Sequence, residues 1–116
     1  MDQINLGDYK KLYLQTAREY IDNLSSGYSK LTANLQDNKA INTVHISSHS
    51  LKSQSQVMGF TDIANLCFEI EKISKDILGG IRKNDDAFMA LLKRTVDELN
   101  LGINSIQKGN AETSSA

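Results

Sequence analysis

Apolar side chains recur at intervals of three and four residues along most of the chain, with polar and charged positions between them. This spacing places them on one face of an α-helix and predicts amphipathic helices rather than strands. Four stripes of this kind follow one another, over residues 9–35, 39–58, 63–77 and 88–106. The chain is therefore predicted to contain four helices, the first of them about 28 residues long.

Residues that favour turns separate the four stripes. Asp37-Asn38 is predicted to form the first turn, and Gly59 ends the second helix. Thr61 is expected to cap the third helix, and Asn84-Asp85-Asp86 supplies caps for the fourth. Within the first helix, Ser25-Ser26-Gly27 is the weakest point and the expected place for a bend.

Short connections between long amphipathic helices make neighbouring helices antiparallel. The predicted fold is all-α, an up-down-up-down antiparallel four-helix bundle. We assign residues 1–109 to this single domain. The small, polar residues 110–116 are expected to be a flexible tail or a linker.

The composition argues against some classes of function. The 116 residues include no proline and a single cysteine, and the formal net charge is −1. Nucleic-acid binders carry clustered lysine and arginine, whereas the longest basic run here is Lys10-Lys11, so no nucleic-acid partner is expected. No apolar run approaches membrane-spanning length, and the N-terminus lacks a signal-peptide pattern. We expect a cytoplasmic protein with no membrane partner.

His49 is the residue that points most directly to chemistry. On a helix it shares its face with Lys52, Ser53 and Gln56, which lie three, four and seven positions further on. The imidazole is therefore expected on a polar, solvated face with an ammonium group one turn away. That arrangement suits a nucleophile that meets an anion such as a phosphoryl group.

The sequence around His49 resembles a known family. The run His49-x-Leu51-Lys52-Ser53-x-Ser55-x-x-Met58-Gly59-Phe60-x-x-Ile63-Ala64-x-Leu66, followed by Glu71, is similar to the histidine phosphotransfer (HPt) domain. The similarity is greatest to the N-terminal phosphoacceptor domain of the chemotaxis histidine kinase CheA. It is strongest from about residue 44 to residue 71 and extends more loosely over the whole bundle.

The resemblance implies roles for individual residues. His49 would accept a phosphoryl group on Nε2, and Glu71 would accept a hydrogen bond from Nδ1–H and so fix the tautomer. Lys52 would counter the phosphoryl charge, and Gly59 would allow the sharp turn between the second and third helices. The implied partners are a kinase catalytic domain, which binds ATP, and a response-regulator receiver domain, which supplies the acceptor aspartate.

Two positions depart from the family pattern. The family usually has glycine where this chain has Ser53, and a second histidine is common where this chain has Phe68. His45, one turn before His49, is expected to be partly packed at the edge of the bundle, or to replace part of the missing network. With Ser53 and Gln56, it is assigned to the partner-binding surface.

Other chemistries fit less well. His45 and His49 could face a metal together, but Ile46 stands where a zinc hydrolase would carry its glutamate, so no metal and no cofactor are expected. A bare bundle offers no glycine-rich elbow for a serine hydrolase. It also has no glycine-rich loop for ATP, so whether the domain counts as an enzyme by itself stays open.

Three functional alternatives stay open. A helical adaptor or scaffold could have the same shape without phosphoryl transfer. Within the favoured class, the domain could be a relay shuttle or the HPt end of a hybrid kinase, each of them fed by a receiver. The Gly59-Phe60 pair and Glu71 favour the chemotaxis-kinase type.

Overall fold

A computed structural model describes residues 6–110 of the chain, and these residues form a four-helix bundle. The helices are α1 (Leu6–Ala33), α2 (Asn38–Met58), α3 (Thr61–Leu78) and α4 (Asp86–Gln107). No strand occurs within residues 6–110. Helices α1 and α3 each pack against α2 and α4. The predicted all-α bundle is confirmed.

The connections between the helices are short and span residues 34–37, 59–60 and 79–85. They make sequential helices antiparallel neighbours. In the described part of the chain, no helix is both long enough and apolar enough to cross a membrane. Of the expected tail at 110–116, all but Asn110 lies outside the described residues.

Two aspartates define the beginnings of α2 and α4. The Asp37 side chain accepts a hydrogen bond from the Ala40 amide at 3.2 Å, and the Asp85 side chain accepts one from the Phe88 amide at 2.9 Å. Each side chain satisfies one of the amides that the first helical turn leaves unpaired. The predicted cap of the fourth helix is confirmed.

The connection between α2 and α3 is the tightest of the three. Gly59 has φ of 80°, in the left-handed region, and so ends α2 as predicted. The Phe60 amide then donates to the Ser55 carbonyl at 2.8 Å. The expectation that Thr61 caps α3 is wrong, because α3 begins at Thr61 itself and the preceding Phe60 has no oxygen in its side chain.

The apolar stripes of all four helices meet in one core. Tyr9, at the start of the predicted stripe of α1, is not part of this core, because 44% of its surface is exposed. Buried residues that follow the predicted stripes are Tyr13, Ala17, Ile21, Leu24, Leu31, Val44, Leu51, Ile63, Ile70, Ile77, Phe88, Leu92, Val96, Leu99, Ile103 and Ile106.

Helix α1 packs closely against α2 at Gly27. The helix runs through Ser25-Ser26-Gly27 without interruption. A Cβ atom built on Gly27 would lie 2.6 Å from Cγ2 of Val44 and 3.4 Å from the Ala40 carbonyl oxygen. The close approach of α2 therefore explains why this position is glycine.

We expect Gly27→Ala to destabilise the bundle by about 1 kcal/mol, because overpacking costs about 1–3 kcal/mol and the better helix propensity of alanine returns about 1 kcal/mol. The measurement is the free energy of unfolding in urea, followed by circular dichroism. In a Val44→Ala background the clashing methyl is gone, so adding Gly27→Ala should be neutral or stabilising there. An equal loss in both backgrounds would contradict this account.

Candidate functional site

The site lies where the middle of α2 faces the middle of α3. His49 and Glu71 both stand eleven residues from Phe60, on opposite sides of the turn. In an antiparallel helix pair, residues equally far from a tight turn lie beside each other. Leu51, Ser47 and Ser48 are buried on the other side of α2, so the His49 side chain is directed away from the core.

The His49 ring is hydrogen-bonded to the Glu71 carboxylate. Nδ1 of His49 lies 2.6 Å from Oε2 of Glu71. Because an ionised carboxylate only accepts, Nδ1 donates the hydrogen of this bond, and in the neutral ring Nε2 then carries the lone pair. The His49 side chain is 57% exposed, whereas that of Glu71 is 14% exposed. Nε2 has no hydrogen-bond partner among the described residues, and a lone pair is thus presented on an exposed ring.

Lys52 binds the other oxygen of the same carboxylate. Its ammonium lies 2.5 Å from Oε1 of Glu71, and its side chain is only 18% exposed. The helical spacing predicted that Lys52 lies on a solvated face. The structure instead turns its long side chain toward α3, since that is where a buried carboxylate lies. Glu71 therefore holds the imidazole and the ammonium together.

The pKa of the Glu71 carboxyl reflects these contacts. Partial burial by itself raises the pKa, but the hydrogen bonds and positive charge of Lys52 and His49 outweigh burial. The net effect lowers the pKa below the ordinary value of 4.5. Glu71 is therefore ionised at neutral pH, and both of its oxygens act only as hydrogen-bond acceptors.

His45 also contacts α3 near residue 71. Its Nδ1 lies 3.3 Å from the Glu71 carbonyl oxygen and 3.3 Å from Oγ of Ser74. A carbonyl only accepts, so Nδ1 of His45 carries a hydrogen. The ring is half-buried and connects α2 to α3. Ser74 was not predicted from the sequence as a contact of His45. The only indication was that it is a small polar residue within the apolar stripe of α3.

Phe68 stands beside the site on α3. Its side chain is 47% exposed. The Lys52 ammonium lies 5.4 Å from the ring centroid, and the Lys72 ammonium lies 5.6 Å from it. Where the resemblance leads one to expect a second histidine, this chain has an aromatic face that contacts two cations.

Ser53 and Gln56 are placed differently from each other. Ser53 is half-buried and lines an apolar groove between α1 and α2, whereas Gln56 is exposed and does not line it. The groove includes Leu12 and Val57, which are 60% and 87% exposed. Leu12 and Val57 were not predicted from the sequence as groove residues. A single exposed apolar residue on a helix does not indicate a groove until the position of the neighbouring helix is known.

Cys67 is buried in the core. Burial, reinforced by the negative charge of Glu71, raises the pKa of its thiol to about 12. The thiol is therefore protonated and unreactive at neutral pH. Within residues 6–110, no group of three or more histidine, cysteine, aspartate or glutamate side chains is arranged to hold a metal ion.

The fold and the site together define a class of protein. A four-helix bundle that exposes one imidazole, with Nδ1 bound to a carboxylate on the next helix, is the arrangement of a histidine phosphotransfer module. The sequence profile of the Hpt domain matches residues 8–102. The chain belongs to the Hpt domain family.

Individual relatives agree with this assignment. The chemotaxis protein CheA of Bacillus subtilis (strain 168) is 22% identical over 106 residues, which make up 91% of this chain and 16% of that protein. The CheA phosphotransferase domain from Thermotoga maritima superposes with a TM-score of 0.81 at 25% identity, covering 86% of this chain and 95% of that one.

A redesigned protein shares the bundle as well. The solution NMR structure of a protein with a redesigned hydrophobic core gives a TM-score of 0.80 at 19% identity, over 94% of this chain and 95% of that one. At this level of identity, the similarity concerns the fold alone.

The lowered pKa of Glu71 makes stability depend on pH. Because the folded-state pKa is depressed, the stability from the ionised carboxylate is present above the ordinary value of 4.5 and is lost as pH falls through the folded-state value. We expect Glu71→Gln to be less stable than the wild type at pH 7 and equally stable in strong acid. Urea unfolding at a series of pH values tests this, and a difference that does not change with pH would contradict it.

Proposed function

We propose that this domain carries phosphoryl groups on His49 in two-component signalling. It accepts them from the ATP-binding catalytic domain of a chemotaxis-type kinase and passes them to an aspartate of a response-regulator receiver. The observation that carries the proposal is the 2.6 Å hydrogen bond from Nδ1 of His49 to Glu71, on a ring that is 57% exposed. The match to the Hpt family and the similarity to CheA proteins support it.

Phosphorylation uses the free lone pair of Nε2. The lone pair attacks the γ-phosphorus of ATP, the bond from that phosphorus to the bridging oxygen breaks, and ADP leaves with the electron pair. Nδ1 keeps its hydrogen, so the phosphorylated ring is positively charged. The Glu71 carboxylate stabilises this charge as it develops, in the way that a buried aspartate supports the histidine of a serine protease.

Transfer to the receiver reverses the change at His49. A carboxylate oxygen of the receiver aspartate attacks the phosphorus, the nitrogen–phosphorus bond breaks, and the electron pair returns to Nε2. Lys52 lies within the same cluster, and its ammonium counters the charge on the phosphoryl oxygens in both directions. No proton has to leave the ring at any step, so the domain needs no general base of its own.

The partners supply what the bundle lacks. The kinase domain brings ATP, and the receiver brings the acceptor aspartate and its Mg²⁺. Ser53, Gln56 and His45 surround His49 on α2, and we assign them to the surface that these partners contact. We place the reaction in the cytoplasm, where ATP is supplied.

His49→Gln should abolish phosphorylation while the helical content stays the same, because glutamine has no nucleophilic nitrogen. The measurement is transfer of labelled phosphate from ATP through a chemotaxis-type kinase core, and separately from phosphorylated receivers. The wild-type label should be labile in acid and stable in base. His45→Gln serves as the matched control and should still become labelled.

Two outcomes would contradict the phosphoacceptor role. Label retained in His49→Gln would place the phosphoryl group on another residue. Absence of label in the wild type, with every donor in a broad panel, would favour the helical adaptor instead.

Glu71→Ala should slow phosphorylation of His49 by about 10- to 100-fold, because a hydrogen bond to a charged group contributes about 1.5–3 kcal/mol. The rate is measured in a single turnover with excess kinase core, and circular dichroism checks that the bundle stays folded. Glu69→Ala is the matched control, since Glu69 lies two residues away and its exposed carboxylate is paired with Lys72, at 3.8 Å. Equal rates for the two variants would exclude the orienting role.

A further inference from the structure

We infer that Phe68 is a positioning residue for phosphoryl transfer, because its aromatic face holds the Lys52 ammonium beside Glu71 and His49. This inference rests on the function proposed above and extends it to a residue that does not touch the phosphoryl group. It concerns a position at which the chain differs from the family pattern.

The place of Phe68 in the fold is not explained by core packing. The side chain is 47% exposed and lies on α3, three residues before Glu71 and therefore on a neighbouring part of the same face. The core cluster of buried residues and the side chains packed against it do not include Phe68. The Phe68 ring instead contacts the ammonium groups of Lys52 and Lys72.

The contact between Phe68 and Lys52 has the distance of a cation–π interaction. The ammonium lies 5.4 Å from the ring centroid, within the range of about 6 Å in which the face of a ring attracts a cation. The Lys52 side chain is only 18% exposed, and the interaction is stronger where the cation has lost water. The ring and the Oε1 atom of Glu71 thus hold the flexible end of Lys52 from two sides.

Lys72 provides an internal comparison. Its ammonium lies 5.6 Å from the same ring, but its side chain is 54% exposed and its carboxylate partner, Glu69, is 3.8 Å away and equally exposed. Lys52 has a closer and more buried carboxylate partner at 2.5 Å. Of the two cations on the ring, Lys52 is therefore the one that the ring helps to fix at the site.

Fixing Lys52 matters because the phosphoryl oxygens arrive with negative charge. A lysine side chain has four rotatable bonds, and an ammonium that must first be ordered contributes less to the transition state than one already in place. Replacing the ring should therefore lower the rate of phosphorylation at saturating kinase. It should leave the concentration of kinase at half-saturation nearly the same.

The test is a double-mutant cycle with Phe68→Leu and Lys52→Met, read as single-turnover rates of His49 phosphorylation. Leucine keeps the apolar character but removes the π face. Phe68→Leu should be about two- to fivefold slower than the wild type, the change that an interaction of about 0.5–1 kcal/mol produces. In the Lys52→Met background, Phe68→Leu should cause no further loss.

Conservative and neighbouring variants complete the cycle. Phe68→Tyr retains the aromatic face and should rescue the rate that Phe68→Leu loses. Lys72→Met should keep the wild-type rate, because Lys72 is bound to a different carboxylate. An equal loss from Phe68→Leu with and without Lys52, or a failure of Phe68→Tyr to rescue, would overturn the inference.

A readout without any partner separates this inference from the proposed function. In the wild type, the ring current of Phe68 should shift the Cε proton resonances of Lys52 upfield in NMR spectra, and Phe68→Leu should abolish the shift. If no kinase labels the wild type, the proposed function fails. If labelling works but the shift is absent, or Phe68→Leu reacts at the wild-type rate, only the role of Phe68 fails.

Discussion

The site depends on the two contacts that the carboxylate of Glu71 makes. Its two oxygens have different partners, Nδ1 of His49 at 2.6 Å and Nζ of Lys52 at 2.5 Å. One mostly buried anion therefore orients an imidazole ring and an ammonium group at the same time. Without it, Lys52 would be a poorly solvated charge without a counter-ion, and nothing would distinguish the two nitrogens of the ring.

The fold places this carboxylate by means of a short turn and small buried residues. Gly59 brings α3 back along α2 within two residues, so that positions 49 and 71 face each other. Ser55 and Ser48 are buried on α2, and their hydroxyl groups bond to Tyr13 Oη at 2.7 Å and to a backbone carbonyl at 3.0 Å. These side chains are small and their hydroxyl groups are hydrogen-bonded, so this face of α2 packs tightly in the core while His49 lies on the exposed face.

Similarity to a redesigned protein concerns the fold and not the function. The protein with a redesigned hydrophobic core shares this bundle at 19% identity. A different core can thus produce the same bundle, as expected when volume and pattern are kept. The shape alone does not define an activity. The contact of His49 with Glu71 is a feature of this chain that the shape of the bundle alone does not determine.

The sequence by itself determined the four helices, the Gly59 turn, the Asp85 cap and the outward direction of His49, because periodicity and capping act within a few residues along the chain. The pairing of Lys52 with Glu71, the attachment of His45 to α3 and the apolar groove were decided only by the tertiary structure. These features depend on the distance and rotation between helices, and a long side chain reaches whichever partner the packing places nearby. Local pattern therefore identifies the reactive residue, whereas packing between helices selects the contacts that orient it.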